Sequence, residues 1–307
     1  MGNPSFAVPS LKNLLNKPVV DIVSVVSNPD KPKGRGKQLM ATPVAQLALE
    51  NQISLLQPEF LLSPEFIEPL ECLNPDLFVV VAFRILPKTL LKIPKIGAIN
   101  LHASLLPKYR GAAPIQWALM NNEFETGLTS FLIKPKVDTG DILLSKNVTV
   151  FPDDDYGSLS HRMSLMGAQM LWETIDLIQN ESFQEIPQNA KNVTVAPKLT
   201  SEIRKINWNK SALEIHNLVK GLSPIPSAFS YLKGVRWQVF KTLPSIKSGG
   251  KSGEIIEIQK NFLQVACGTG SVKLLEVKLE NKRRIKVSEL LRGNPVNAGE
   301  VFDSDEK

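Results

Sequence analysis

Asn100 and His102 stand two residues apart in a short apolar run, and an aspartate follows in the turn Val137-Asp138-Thr139-Gly140-Asp141. In an extended strand alternate residues share a face, so the amide and the imidazole project to the same side. These side-chain types suit transfer of an acyl group to an amine. An amide N–H and an imidazole can donate to a carbonyl oxygen as it gains negative charge. A carboxylate can hold the imidazole's orientation and favour its charged form. The attacking amine must also lose a proton to a nearby base. No serine or cysteine nucleophile is needed if the amine attacks directly. A single histidine at a strand end is more often structural, and spacing alone does not bring Asp138 to His102. Residue chemistry therefore leaves a catalytic and a structural reading open.

The elements that would position these groups follow from periodicity. Residues 19–26 form a β-branched run that predicts a buried strand, and 77–82, 96–102, 127–132 and 142–150 predict four more. Helical spacing is present in 6–15, 43–50, 64–70, 115–120 and 159–178. Alternation of strands with helices predicts a Rossmann-like, doubly wound α/β domain with a mostly parallel sheet covered on both faces. Asn100 and His102 fall at the carboxyl end of their strand, where such sheets bind ligands. The following loop is rich in proline and glycine, which shapes its backbone for close approach. After residue 180 the pattern changes. Residues 184–203 are polar with weak periodicity and read as a linker, leaving 1–183 and 204–307 as domains. Residues 211–219 predict a short helix. Short apolar runs at 237–241, 253–258, 262–266 and 272–277, separated by turns, predict a small β-barrel of OB-fold type.

The chain has 307 residues, which suits two domains, and 43% of them are hydrophobic. No apolar run approaches the roughly 20 residues that span a bilayer. The expectation is a cytoplasmic monomer without membrane association. Cys72 and Cys267 have neither disulfide nor metal spacing, so two reduced thiols and no metal site are expected. The formal charge of +6 permits a polyanionic partner. What matters is where the positive charge clusters.

The stretch from Asn100 through Ser104-Leu105-Leu106-Pro107-Lys108-Tyr109-Arg110-Gly111 to Ile115 resembles the signature of the folate-dependent formyltransferases, and Asp138-Thr139-Gly140-Asp141 resembles their second motif. The resemblance extends over nearly the whole chain, including Phe6-Ala7-Val8-Pro9-Ser10-Leu11 and Leu222-Ser223-Pro224-Ile225-Pro226-Ser227-Ala228-Phe229. It implies that Asn100, His102 and Asp138 are catalytic. It also implies that Ser104, Leu105, Leu106 and Pro107 line the site of 10-formyltetrahydrofolate, the formyl donor, with Leu86-Pro87 helping to enclose the pterin. Ala82-Phe83-Arg84-Ile85-Leu86-Pro87 is shorter than the commonest family form, so Arg84 could face solvent or the cofactor.

Members of this family act on initiator methionyl-tRNA, on glycinamide ribonucleotide or on nucleotide-linked amino-sugars. Two features favour the tRNA branch. Asp30 to Met40 carries Lys31, Lys33, Arg35 and Lys37 with two glycines, and resembles the insertion with which that branch grips the acceptor stem. Phosphate contacts of this kind are electrostatic. The β-rich tail carries Lys278, Lys282, Arg283, Arg284, Lys286 and Arg292, which suits the basic groove by which OB-folds bind nucleic acid. The alternatives are an enzyme for nucleotide-linked amino-sugars and an RNA-binding relative without catalysis. In one respect the chain departs from the family. Met1-Gly2-Asn3-Pro4-Ser5-Phe6-Ala7 resembles a stretch that elsewhere follows the first strand. The expectation is therefore a sheet wanting a central strand, with unpaired backbone beside it.

Overall fold

The computed structural model describes residues 1–33, 38–293 and 296–303. The chain forms two compact units, one from Met1–Gly111, Glu125–Thr149 and Ser160–Val195, the other from Ala112–Phe124, Val150–Leu159 and Ala196–Lys307.

The first unit is a Rossmann-like α/β fold. Its strands are β1 (Val25–Val26), β2 (Leu55–Leu56), β3 (Leu77–Val80), β4 (Gly97–His102), β5 (Glu125–Leu132) and β6 (Ile142–Thr149). β1 pairs parallel with β2, and β3 pairs parallel with β4. β4 then pairs antiparallel with β5, and β5 with β6. The strands thus make a parallel pair, β1-β2, and a four-stranded sheet of order β3-β4-β5-β6, parallel at its first pairing and antiparallel at the next two. Helices start where the sequence supplies the signals. Pro43 opens Pro43–Glu50 at a position where a missing N–H costs nothing, and Thr42 caps it by accepting from the Ala45 N–H at 3.1 Å. In the long helix Tyr156–Gln179, Met163, Met170 and Leu171 are fully buried, so the methionine spacing marks a core face. Gly167 lets that helix lie close on the site strand, since a Cβ there would meet Leu101 at 2.7 Å.

One expected strand is much shorter. Of residues 19–26 only Val25–Val26 is strand; Val19 and Val23 are exposed. β-branched composition favours extended backbone, but a strand also needs a ladder partner on its edge. Only Val25 and Val26 have one in β2. The other expected strands and helices appear with ends moved by a few residues. Arg84 is half-buried against the segment at residues 58 and 59. Its guanidinium donates to the carbonyls of Pro58 and Glu59 at 2.7 and 2.9 Å.

In the second unit β7 (Ala228–Leu232), β8 (Val235–Ser245), β9 (Ile255–Gln259), β10 (Phe262–Ala266), β11 (Ser271–Leu279), β12 (Ile285–Lys286) and β13 (Phe302–Asp303) build one curled antiparallel sheet. Its order is β9-β10-β11-β8-β7-β13, with β12 on β11. Register shifts at Val239, Lys241 and Thr242 bend β8, as bulges do in OB-like barrels. In the core the Phe302 ring lies between two indoles, its centroid 5.5 Å from Trp208 and 5.4 Å from Trp237. The Trp208 N–H donates to Ser230 at 2.9 Å, so burying the indole strands no donor. Ser304–Lys307, part of the charged tail, lie outside the described residues.

The helix Ala212–Leu222 closes this core. Ser211 and Glu214 form a reciprocal capping box at its start. On its inner side His216 shares a hydrogen bond with Thr242 at 2.9 Å. Burial, with a smaller effect from Lys220, pushes this imidazole from 6.5 down to about 4. Between those values the unfolded chain binds a proton that the folded one refuses, so stability falls as pH drops through this window. Tm measured from pH 7 to pH 4 should decline less steeply in His216→Gln than in the wild type. Equal slopes would assign the decline to other groups.

Candidate active site

β4 ends in Asn100-Leu101-His102, and the chain then turns through residues 103–113. Asn100 is half-buried and His102 buried. Their i, i+2 spacing on a regular strand sets them on one face. The loop is held from beneath by Thr129 on β5, a residue that sequence reading did not single out. Its hydroxyl donates to the Ser104 carbonyl at 2.7 Å and accepts the Leu106 N–H at 3.1 Å. The Ser104 hydroxyl, fully buried, donates to the Lys108 carbonyl at 2.6 Å. Gly127, also on β5, allows this closeness, because a Cβ there would stand 2.3 Å from Leu105.

Tertiary structure brings Asp138 to His102. Asp138 Oδ2 lies 3.9 Å from His102 Nδ1, and both side chains are largely buried. The same Oδ2 accepts the Gly111 N–H at 2.8 Å. The other edge of the ring, Nε2, is 2.9 Å from the Tyr109 carbonyl. A carbonyl only accepts, so Nε2 carries a proton and donates. This fixes one edge of the ring on a carbonyl and sets the other beside a carboxylate, at a distance longer than a hydrogen bond. Asp138 itself has φ +52, in the left-handed region. Non-glycine residues there are held by their surroundings.

Those surroundings include Gln188, which the polar composition of its stretch concealed. Its amide donates to the carbonyls of Asp138 at 3.0 Å and Gly140 at 2.7 Å. Its Oε1 accepts from Arg110 Nε and Nη2 at 3.0 and 2.6 Å. One side chain thus ties the turn bearing Asp138 to the loop that follows His102. Ile186, two residues earlier, exchanges backbone hydrogen bonds with Ile142 at 2.9 and 3.0 Å, which anchors this segment on β6. Asp141 pairs with Lys134, and that contact holds its carboxyl below the usual range. Nothing in the sequence signalled Gln188, since its partners are backbone atoms and an arginine far away in the chain.

The residues expected to line a folate site surround this centre unevenly. Leu105 and Pro107 are half-exposed in the loop, whereas Leu106 is buried. Leu86 is packed in a core cluster with Phe78, Val80 and Leu90, while its neighbour Ile85 is exposed. Lys31 lies in a hairpin of Lys31–Lys33 with Gln38–Met40. Arg35, Lys37 and the side chain of Lys33 lie outside what the structure describes. In the second unit, Arg284 binds Glu276 at 2.6 Å and stands over the Phe240 ring at 4.6 Å, and Arg283 pairs with Glu289. No helix among the described residues is long and apolar enough to cross a membrane.

A parallel-to-antiparallel α/β sheet with an amide, an imidazole and a carboxylate at a strand end, joined to a curled β unit, defines a class that comparison confirms. The formyl transferase family matches residues 1–175, and the formyl transferase C-terminal domain matches residues 198–295. The chain belongs to the formyl transferase family. Within it, the chain is 43% identical to the methionyl-tRNA formyltransferase of Acetivibrio thermocellus, over 98% of each chain. It is 44% identical to that of Thermodesulfovibrio yellowstonii, over 97% of this chain and 96% of the other. Among solved structures, the N-formyltransferase from Helicobacter canadensis, in complex with folinic acid and dTDP-3-aminofucose, aligns with a TM-score of 0.67 at 23% identity. That alignment covers 89% of this chain and 96% of the other, and it supports the fold.

Proposed function

We propose that the protein transfers the formyl group of 10-formyltetrahydrofolate to the amino group of methionyl initiator tRNA. The observation that carries this reading is identity above 40% to methionyl-tRNA formyltransferases along both units, the β-rich one included. In the reaction, the methionine nitrogen bonds to the formyl carbon, the bond from that carbon to the folate nitrogen breaks, and the amine's proton ends on that nitrogen. Asn100 donates to the formyl oxygen as it becomes an oxyanion, together with the His102 ring. Asp138, beside the ring, positions it and takes the amine proton directly or through water. Leu105, Leu106, Pro107, the Ser104 backbone and Leu86 form the folate side of the cleft. Lys31, Lys33, Arg35 and Lys37 bind acceptor-stem phosphates, with Arg283 and Arg284 exchanging carboxylate partners for phosphate. Exposed ion pairs of that kind contribute little, so the exchange costs little.

The direct test is formyl transfer by the purified protein to methionyl initiator tRNA, with a nucleotide-linked amino-sugar as the competing acceptor. Transfer to the sugar alone would overturn the tRNA reading. A second test concerns Gln188. In Gln188→Ala the turn bearing Asp138 loses two donors, and a shift of about 1 Å at a reacting group can cost ~100-fold. We expect kcat to fall between about tenfold and 100-fold with the KM for folate little changed. An unchanged kcat would show that the clamp does not position Asp138.

A further inference from the structure

The Nε2 edge of His102 rests on the Tyr109 carbonyl, so the place of the ring follows from whatever fixes that carbonyl. Tyr109 has φ +57, in the left-handed region, where a non-glycine residue stays only if its surroundings hold it. Three hydrogen bonds around it involve one residue, Thr194, 85 positions further along the chain. The Tyr109 N–H donates to the Thr194 hydroxyl at 2.8 Å. The Arg110 N–H donates to the Thr194 carbonyl at 3.0 Å, and the Thr194 N–H donates to the Pro107 carbonyl at 3.4 Å. The peptide group between Tyr109 and Arg110 is thus held at both ends. Its N–H meets Thr194, and its C=O meets His102. The same stretch of chain carries Gln188, which ties down the turn bearing Asp138. One segment therefore sets the groups on both edges of the imidazole.

We propose that Thr194 is a positioning residue for formyl transfer, which acts through the Tyr109 carbonyl to hold the His102 ring. The hydroxyl is the part of Thr194 that a substitution removes, because its N–H and carbonyl belong to the main chain. Without the hydroxyl, the Tyr109 N–H turns to water, since Thr194 is exposed. A water satisfies the donor, but it is not fixed to the frame as a side chain is. Tyr109 is then free to relax toward negative φ. That rotation turns the 109–110 peptide and draws its carbonyl away from Nε2. The other edge of the ring offers no substitute, because Asp138 stands 3.9 Å from Nδ1, beyond hydrogen-bond distance. Stability is nearly untouched, since the lost group is exposed and water replaces it. The loss falls on the precision with which the ring meets the reacting atoms.

The inference rests on the part that His102 plays in the proposed reaction, so its first readout needs no substrate. In protein labelled with 15N-histidine, the Nε2 proton of His102 is assigned among the chain's three histidines by its loss in His102→Gln. Thr194→Val keeps the shape and loses the hydroxyl. In it, exchange of that proton with water should be at least ~10-fold faster than in the wild type. Thr194→Ser keeps the hydroxyl and should exchange as the wild type does. In steady-state assays Thr194→Val should lower kcat by about tenfold, with the KM for folate and the Tm little changed. Thr194→Ser should recover kcat to within about twofold of the wild type. Equal exchange in the wild type and Thr194→Val would overturn the proposal, even if kcat fell. So would a serine variant no better than the valine one. If the wild type transferred no formyl group, the reaction would fall as a reading, and the exchange comparison would still decide whether Thr194 holds the ring.

Discussion

His102→Ala should lower kcat for formyl transfer by about three orders of magnitude while leaving Tm and folate affinity near wild type. The size follows from two losses. An oxyanion donor is worth about 100- to 1,000-fold, and Asp138 loses the ring that it positions. The fold should tolerate the change. Among the described residues the ring's hydrogen bond to the frame is the 2.9 Å one to the Tyr109 carbonyl, and the loop remains pinned by Thr129. His102→Gln separates the two roles, since its amide can reach toward the Tyr109 carbonyl but is not an imidazole. It should restore any lost stability and none of the rate. Single-turnover assays with saturating folate check this directly. A variant that keeps more than about a tenth of the wild-type rate would remove His102 from the mechanism.

Gly140→Ala should be almost as damaging, for a steric reason. A Cβ at Gly140 would stand 1.5 Å from the Leu132 carbonyl oxygen and 2.7 Å from its carbon. Backbone cannot yield that far, so the turn itself must move. Two contacts go with it: the Leu132 N–H to the Asp141 carbonyl at 3.1 Å, and Gln188 to the Gly140 carbonyl. Overpacking of this kind typically costs about 1–3 kcal/mol of stability. Displacing Asp138 by about 1 Å should cost a further ~100-fold in kcat. A thermal melt and a kcat measurement on one preparation distinguish the effects. If Tm falls and kcat does not, Asp138 is not needed in its present place.

Much of this was legible in sequence because it depends on near neighbours. Asn100 and His102 share a face through the two-residue repeat of a strand, whatever surrounds it. Helix starts at Pro43 and Ser211 follow from capping groups a few residues apart. The long helix could be read from apolar spacing alone. The resemblance of the loop after His102 to the formyltransferase signature pointed to the family, which matches on both units bear out.

Tertiary structure decided the contacts between groups distant along the chain. Asp138 reaches His102 from the turn between β5 and β6, where the Gly111 N–H and the Gln188 amide hold it beside the ring. Gln188 clamps that turn from a segment whose polar composition gave no signal, since hydrogen bonds to backbone carbonyls leave no pattern in side-chain types. Arg84 was unreadable for the same reason, since its partners are two carbonyls at residues 58 and 59. The shortness of β1 has a similar cause. Val19 to Val26 has the composition of a strand, but a strand is a relation between neighbours, and only Val25 and Val26 have one. Local sequence determined which residues could be extended or helical and which could do chemistry. Packing and hydrogen bonding across the fold decided which of them meet.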